Sequence, residues 1–405
     1  MGALSHLRVL DLSRVLAAPW ATQILGDLGA EVIKVEKPGE GDETRHFGPP
    51  FLANPDGSRG DATYFLTANR NKKSVTIDFA KPEGAALVKR LARRAHIVVE
   101  NFKTDALARY GLDYESLKAE NPALIYCSLT GFGHDGPYKD KAGYDYVIQG
   151  MGGLMSVTGQ KDGEPGAEPM KVGVAVSDLV TGLYTAIGIL AAVIHQSRTG
   201  EGQALDMALF DCQAAALANQ ATNFLAGGMI PTRLGNAHPN IVPYQVFATA
   251  DGHLILATSN DNQFRRFAQV AGLADIADDP RFARNAERVA HRQEIVDLLK
   301  PVFEQRTTAR WISDLEAANV PCGPINRVDQ VFADPQALAR NLTVSLRHAA
   351  VGPMQLVASP LRLSRTPPEY RSAPPLLGEH NEQVLTGMLG LSAGDVESLR
   401  KAGIV

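Results

Sequence analysis

Cysteine is scarce in this chain: Cys127, Cys212 and Cys322 are the only three among 405 residues. Thiols so few and so far apart build neither a disulfide framework nor a zinc site, and they read as buried or incidental thiols in a reducing cytoplasm. An excess of charge of one sign is also missing. The 40 Lys and Arg against 44 Asp and Glu leave −4 at pH 7, which argues against nucleic acid as the main partner. Long apolar runs are absent too. The longest in the central helical stretch, Ala186 to Ile194, is too short to cross a bilayer, so no membrane partner is expected. The first residues show no basic segment leading into an apolar run and a cleavage site, so the reading is a cytoplasmic protein without a signal peptide. Several motifs are lacking as well. Without G-x-G-x-x-G, H-E-x-x-H, G-x-S-x-G or a P-loop, nicotinamide or flavin dinucleotide, metalloprotease, serine hydrolase and ATPase readings have no support, and no metal is expected.

What is present is a regular alternation of strand and helix patterns. Leu7 to Leu12 reads as a buried strand, Pro19 to Leu28 as a helix with Pro in its first turn, and Ala30 to Glu36 as a second strand. This βαβ unit implies a parallel sheet covered by helices. Ser74–Phe79, Pro82–Arg94, His96–Glu100 and Leu124–Leu129 continue it. The fold class predicted is α/β, an open doubly wound parallel sheet of Rossmann-like form, with a smaller α+β domain. That smaller domain is signalled by a composition change at Pro243. Asp251-Gly252 sits between two strand-like runs as a hairpin turn, and three helical patterns follow at Gln263–Ala271, Glu287–Gln305 and Thr308–Asn319. The expected division is a large domain over 1–225, a small one over 226–325, and a return to the large domain over 326–405.

The most informative stretch is Val174-Ala175-Val176-Ser177-Asp178 with the helix that follows. After Asp178 no charge appears until Arg198, and Leu179, Leu183, Ile187, Leu190 and Ile194 recur at helical spacing with Gly and Ala between them. A helix apolar on every side is predicted to be buried on every side. Asp178 is then a lone carboxylate on the first turn of a core helix. It reads either as a simple cap or as a desolvated nucleophile. Basic loops lie beyond the strands: Lys37 with Arg45, Asn69 to Lys73, and Asn101-Phe102-Lys103 with Arg109. Cations beside an aromatic suit a phosphate-bearing nucleotide, and equally a solvated basic rim.

Taken together, Val9-Leu10-Asp11-Leu12-Ser13-Arg14-Val15-Leu16-Ala17-Ala18-Pro19, Leu28 to Glu36, Asn71-Lys72-Lys73-Ser74, Val99-Glu100-Asn101-Phe102, Arg198 to Gln203 and Pro375-Leu376-Leu377-Gly378-Glu379-His380 resemble the class III CoA-transferases almost end to end. The resemblance implies that Asp178 is the nucleophile and that coenzyme A, arriving as acyl-CoA, is the cofactor-like substrate alongside a free carboxylic acid. The CoA-contacting positions fall on Val15, Leu16, Ala17, Lys37, Arg45, Ile77, Asp78, Asn101, Phe102, Lys103, Arg109, and Lys141 to Tyr144. It also implies an interlocked homodimer. Leu16 stands where oxalate-specific members carry Gln, and the loop Leu234 to Pro239 is shorter than their glycine-rich loop. The turns at Arg14 and at Gly235-Asn236-Ala237-His238 are more similar to those of members that pair succinyl-CoA with glutarate. Short dicarboxylates are therefore the expected acids, with Arg14, Arg233 or His238 binding the distal carboxylate. Two other readings stand beside this one. An α-methylacyl-CoA racemase has a histidine base where this chain has Tyr144, and a silent acyl-CoA-binding protein would use Asp178 only as a cap.

Overall fold

The structure, a computed structural model, describes residues 1–405. Its centre is a parallel sheet of six strands: β1 (Arg8–Asp11), β2 (Glu31–Glu36), β3 (Lys72–Thr76), β4 (Ile97–Glu100), β5 (Ile125–Thr130) and β6 (Ala204–Ala208). They lie in the order β3-β2-β1-β4-β5-β6. In register, Val9 stands opposite Val32 on one side and Ile97 on the other. The strand order reverses direction between β1 and β4. In such sheets the crevice for ligands opens there, beyond the carboxyl ends of the strands.

Alternate side chains of each strand point to opposite faces. Leu10, Leu12, Ile33, Val35, Val75 and Val98 enter one core, which is closed by α2 (Pro82–Ala92) and two late helices, α10 (Asn381–Gly387) and α11 (Ala393–Lys401). Val9, Val32, Ile97, Val99, Ile125 and Cys127 enter the other, closed by α1 (Ala17–Asp27) and α4 (Val176–Thr199). The doubly wound α/β class read from the alternation is the one found.

Helix α4 departs from expectation. Its inward side consists of Ser177, Asp178, Thr181, Gly182, Thr185, Ala186, Ile189 and Ala192. Leu183, Tyr184, Ile187 and Ile194 are exposed on this chain instead of buried. The small inward residues have a reason. A Cβ on Gly182 would stand 2.6 Å from the Ala17 carbonyl oxygen, so only glycine lets α4 approach α1 this closely. At 24 residues α4 is also long and apolar enough to cross a membrane, which the count of uninterrupted apolar residues did not indicate. Its packing against α1 and the sheet is that of a core helix.

By contacts the chain forms two compact units: Met1–Leu154, Val172–Gly228 and Arg340–Val405 make one, and Met155–Lys171 with Met229–Ala339 make the other. The smaller unit thus takes in a segment before α4, and its main stretch extends to Ala339. Composition did not mark that segment. It is held to its unit by long-range pairings such as the ion pair between Asp162 and Arg233. The smaller unit has the antiparallel order β9-β8-β7, from β7 (Tyr244–Ala248), β8 (His253–Ala257) and β9 (Cys322–Pro324). Helices α7 (Asp261–Val270), α8 (Arg292–Phe303) and α9 (Thr308–Ala317) cover it with Phe264, Phe267, Phe303 and Trp311. A late antiparallel hairpin pairs β10 (Thr343–His348) with β11 (Gly352–Val357).

Candidate active site

The turn from β1 into α1 and the turn after β4 meet at the strand-order reversal. Asn101 locks them together, accepting the Arg14 N–H at 2.8 Å and donating to the Arg14 carbonyl at 2.7 Å. Two cavities open beside this junction. One, of about 170 Å³, is lined by Arg14, Val15, Leu16, Ala17, Asn101, Phe102, Lys103, Lys141, Tyr144 and Asp178, among others. The second, of about 300 Å³, includes Lys37, Ile77, Asp78, Phe79 and Phe102. Arg14, Glu43 and Phe102 line both, so the cavities adjoin at these side chains. There the Arg14 guanidinium pairs with Glu43 at 2.5 Å and lies 4.6 Å from the centre of the Phe102 ring.

Asp178 enters the first cavity from the opening turn of α4 and is only 8% exposed. Burial first, and the Asp145 carboxylate second, push its carboxyl up to about 7. No cation is among the groups that shift it. Asp145 belongs to a short helix, α3 (Asp145–Met151), and does what no residue of α4 itself does. Its Oδ1 accepts the N–H of Ser177 at 2.8 Å and of Asp178 at 3.3 Å, while Oδ2 accepts from the Gln149 amide at 2.7 Å. The Ser177 hydroxyl in turn donates to Gln213 Oε1 at 2.7 Å, on α5 (Leu209–Ala216), the helix that precedes α6 (Ala218–Leu225). The start of α4 is thereby fixed by neighbouring helices, and its positive dipole end faces two carboxylates. The cavity floor needs a close crossing of backbones. A Cβ on Gly131 would lie 2.6 Å from the Gly143 Cα.

Beneath the β1–α1 turn lies a second set of buried charges. Lys34 pairs with Asp42 at 2.9 Å and Lys72 with Asp11 at 3.0 Å, all four side chains fully enclosed. Burial raises the Asp11 carboxyl, but Lys72, Lys34 and the hydroxyls of Ser13 and Thr22 outweigh it and hold the group at about 2.

The structure therefore gathers most of the expected positions. Val15, Leu16, Ala17, Asn101, Phe102, Lys103, Lys141 and Tyr144 share the cavity of Asp178, and Lys37, Ile77 and Asp78 line its neighbour. Arg45 is a correction. It lines neither cavity, its side chain is 2% exposed, and it is consumed by Glu36 at 2.7 Å, Asp61 at 2.6 Å and the ring of Phe65. Sequence showed the cation but not the two acids that fold against it. Arg109 lines neither cavity and stacks on Tyr110. Of the three groups expected at a distal carboxylate, Arg14 lines the Asp178 cavity. Arg233 and His238 belong to the smaller unit, where Arg233 pairs with Asp162 and the His238 ring lies against Tyr244. Asp145, Glu43, Asp42 and Tyr64 were not anticipated. Only Asp145 carried a signal, in the polar and aromatic cluster Tyr144-Asp145-Tyr146. The charges of Asp178 and Asp145, after burial, raise the Tyr64 hydroxyl, which places it in the field of the same pair.

Comparison with known proteins agrees with this geometry. Residues 4–381 match the family model described as CoA-transferase family III. A protein from Agrobacterium fabrum named succinate--glutarate CoA-transferase is 53% identical over 382 residues, covering 94% of each chain. A human protein named succinyl-CoA:glutarate CoA-transferase is 40% identical over 402 residues, covering 99% of this chain and 90% of the relative. Among solved structures, a CAIB/BAIF family protein from Brucella suis superposes with a TM-score of 0.83 at 49% identity, covering 95% of this chain and 99% of that one.

Proposed function

This chain belongs to CoA-transferase family III, and from that premise we propose that it moves CoA from succinyl-CoA to a dicarboxylate of glutarate's size by covalent catalysis on Asp178. The observation that carries this reading is the state of Asp178: enclosed, unpaired with any cation, and held at the mouth of a helix in a cavity with the β1–α1 turn. A hydrated carboxylate is a poor nucleophile, and removal of its water makes it a better one.

The Asp178 carboxylate adds to the thioester carbonyl of succinyl-CoA and expels CoA thiolate, leaving a mixed anhydride. The thiolate then attacks the Asp178 carbonyl carbon of that anhydride, which releases succinate and leaves an aspartyl-CoA thioester. The acceptor carboxylate attacks this thioester, again expelling thiolate and forming a second anhydride. The thiolate attacks the acceptor's carbonyl carbon, giving the new acyl-CoA and the free Asp178 carboxylate. The amides of the α4 first turn supply a positive field for the negative charge that passes between oxygen and sulfur. Thioester is exchanged for thioester, so the bond energy is conserved at each cycle. The nucleotide end of CoA is assigned to the second cavity, with Lys37 at its rim and the edge-on pair Phe79–Phe102 as an apolar platform. Arg14 is assigned the distal carboxylate of the acid, which would exchange with or share the Glu43 partner that the guanidinium holds in this structure.

We further read the active form as a homodimer, interlocked as family resemblance implies. The exposed apolar side chains of α4, Leu183, Ile187 and Ile194, support a covering partner. A monomer by light scattering would sink that assignment.

The test of the reaction is an assay by mass spectrometry with succinyl-CoA and a panel of acids that includes glutarate and oxalate. Glutaryl-CoA is expected from the wild type, with the intact protein gaining CoA less water in the absence of acceptor. Asp178→Ala should lose about a thousandfold or more of the turnover. New thioesters from other acids only would discard glutarate. No thioester from any acid, with deuterium exchange at the α-carbon of a branched acyl-CoA, would replace the transferase mechanism by the racemase.

A further inference from the structure

Val15 is the one β-branched residue of the chain held in the left-handed backbone region, at φ +68°. A side chain branched at Cβ opposes that conformation, so something must hold it there. The groups that hold it are visible. The Val15 N–H points at both carboxylate oxygens of Asp42, at 3.2 and 3.3 Å. Asp42 is itself fixed, by the Thr44 N–H at 3.0 Å, the Thr44 hydroxyl at 2.7 Å and the Lys34 ammonium at 2.9 Å. Lys34 also donates to the Ser13 carbonyl at 2.8 Å, on the other side of the strained residue. Immediately after Val15 come Leu16 and Ala17, which open α1 and line the cavity of Asp178.

We propose that Asp42 is a positioning residue for the CoA-transfer reaction: by accepting the Val15 N–H it keeps Val15 left-handed and so sets the Leu16–Ala17 wall opposite Asp178. Relaxation of Val15 to negative φ would swing the following peptide and move that wall. Asp42 also borders the second cavity, but its carboxylate oxygens are committed to Val15, Thr44 and Lys34, and in this scheme it acts through the turn. The inference rests on acyl-CoA occupying this cavity, as proposed above.

A double-substitution cycle tests it, with Trp20 emission as a readout independent of turnover. The Trp20 backbone N–H donates to the Leu16 carbonyl at 2.7 Å, so its indole rides on the first turn of α1 and reports on it, whereas the only other tryptophan, Trp311, is enclosed in the smaller unit. Asp42→Ala, which removes both acceptor oxygens, is expected to lower kcat by about fivefold or more with a smaller change in KM, and to shift Trp20 emission. Made in a Val15→Gly background, the same substitution should cost less than about twofold and leave the emission unshifted, because glycine adopts positive φ unaided. An equal loss in both backgrounds overturns the proposal, since a carboxylate serving only as the partner of Lys34 would be missed equally with either residue at position 15. If Asp42→Ala does not fold, Val15→Pro decides. It leaves Lys34 and Asp42 paired, fixes φ near about −65° and removes the N–H. A folded Val15→Pro protein with strongly reduced kcat supports the clamp, and one with wild-type kcat overturns it. Should the wild type exchange no thioester, the transferase reading fails on its own, and the emission comparison still decides whether Asp42 holds the turn.

Discussion

Two buried carboxylates of this molecule, Asp11 and Asp178, are enclosed to a similar degree and end in opposite electrostatic states. Burial alone raises both. Asp11 is then pulled down to about 2 by Lys72, Lys34 and two hydroxyls, whereas Asp145 is the one charge that shifts Asp178, which is pushed up to about 7. The difference separates a structural charge from a reactive one. A carboxylate whose lone pairs are committed to cations has nothing left for an electrophile. A carboxylate at a helix mouth beside another acid keeps its electrons available, at a cost in stability that the rest of the fold carries.

The largest effect expected from breaking this contrast is on the structural side. Lys72→Met leaves Asp11 short of its nearest cation and should destabilise the protein by about 3–5 kcal/mol, read as a fall in the urea midpoint. On the reactive side the sign reverses. The Asp178 carboxyl titrates near 7 when folded and near 3.8 in its ordinary state, so the folded form binds a proton more tightly over that interval. Stability contributed by this group is therefore present below about pH 4 and lost as pH rises through about 7. Asp178→Asn cannot ionise. It should match the wild type at pH 4 and exceed it by about 4 kcal/mol at pH 8. Equal stability of the two proteins across that range would show that Asp178 is not desolvated. Asp11 should behave in the contrary way, its contribution present above about pH 4 and lost as pH falls toward 2. The smallest effect sharpens the contrast. Asp145→Asn keeps an oxygen for the Ser177 N–H but removes the like charge. The alkaline rise of kcat/KM, expected near pH 7 as Asp178 ionises, should move to lower pH by about half a unit. A limb that stays in place would remove Asp145 from the electrostatics of the site.

The sheet was legible in the sequence because buried parallel strands are continuous apolar runs and the helices between them have a different period. Asp178 was legible for a related reason: one charge before nineteen uncharged residues stands out without any knowledge of its neighbours. What stayed hidden was partnership across distance. Arg45 looked like a phosphate ligand until Glu36 and Asp61 were seen to enclose it. The roles of Asp145 and Asp42 were hidden because each acts on a segment 33 or 27 positions away. Helix α4 looked buried all round because a hydrophobic pattern records that a face avoids water, and does not record whether this chain or another covers it.

The helices that close one face of the sheet arrive very late in the chain. The Thr76 N–H donates to the Asn381 side chain, 305 positions downstream, and Val384 and Leu385 complete the core that Leu10, Ile33 and Val75 begin. A ribosome moving at about 5–20 residues per second needs about 15–60 s to supply that cover. Through this interval α2 is the one helix of the three that is available to cover that face. The order of synthesis therefore leaves this core incomplete until the last residues of the chain are made, and final closure of that face is a step that follows elongation.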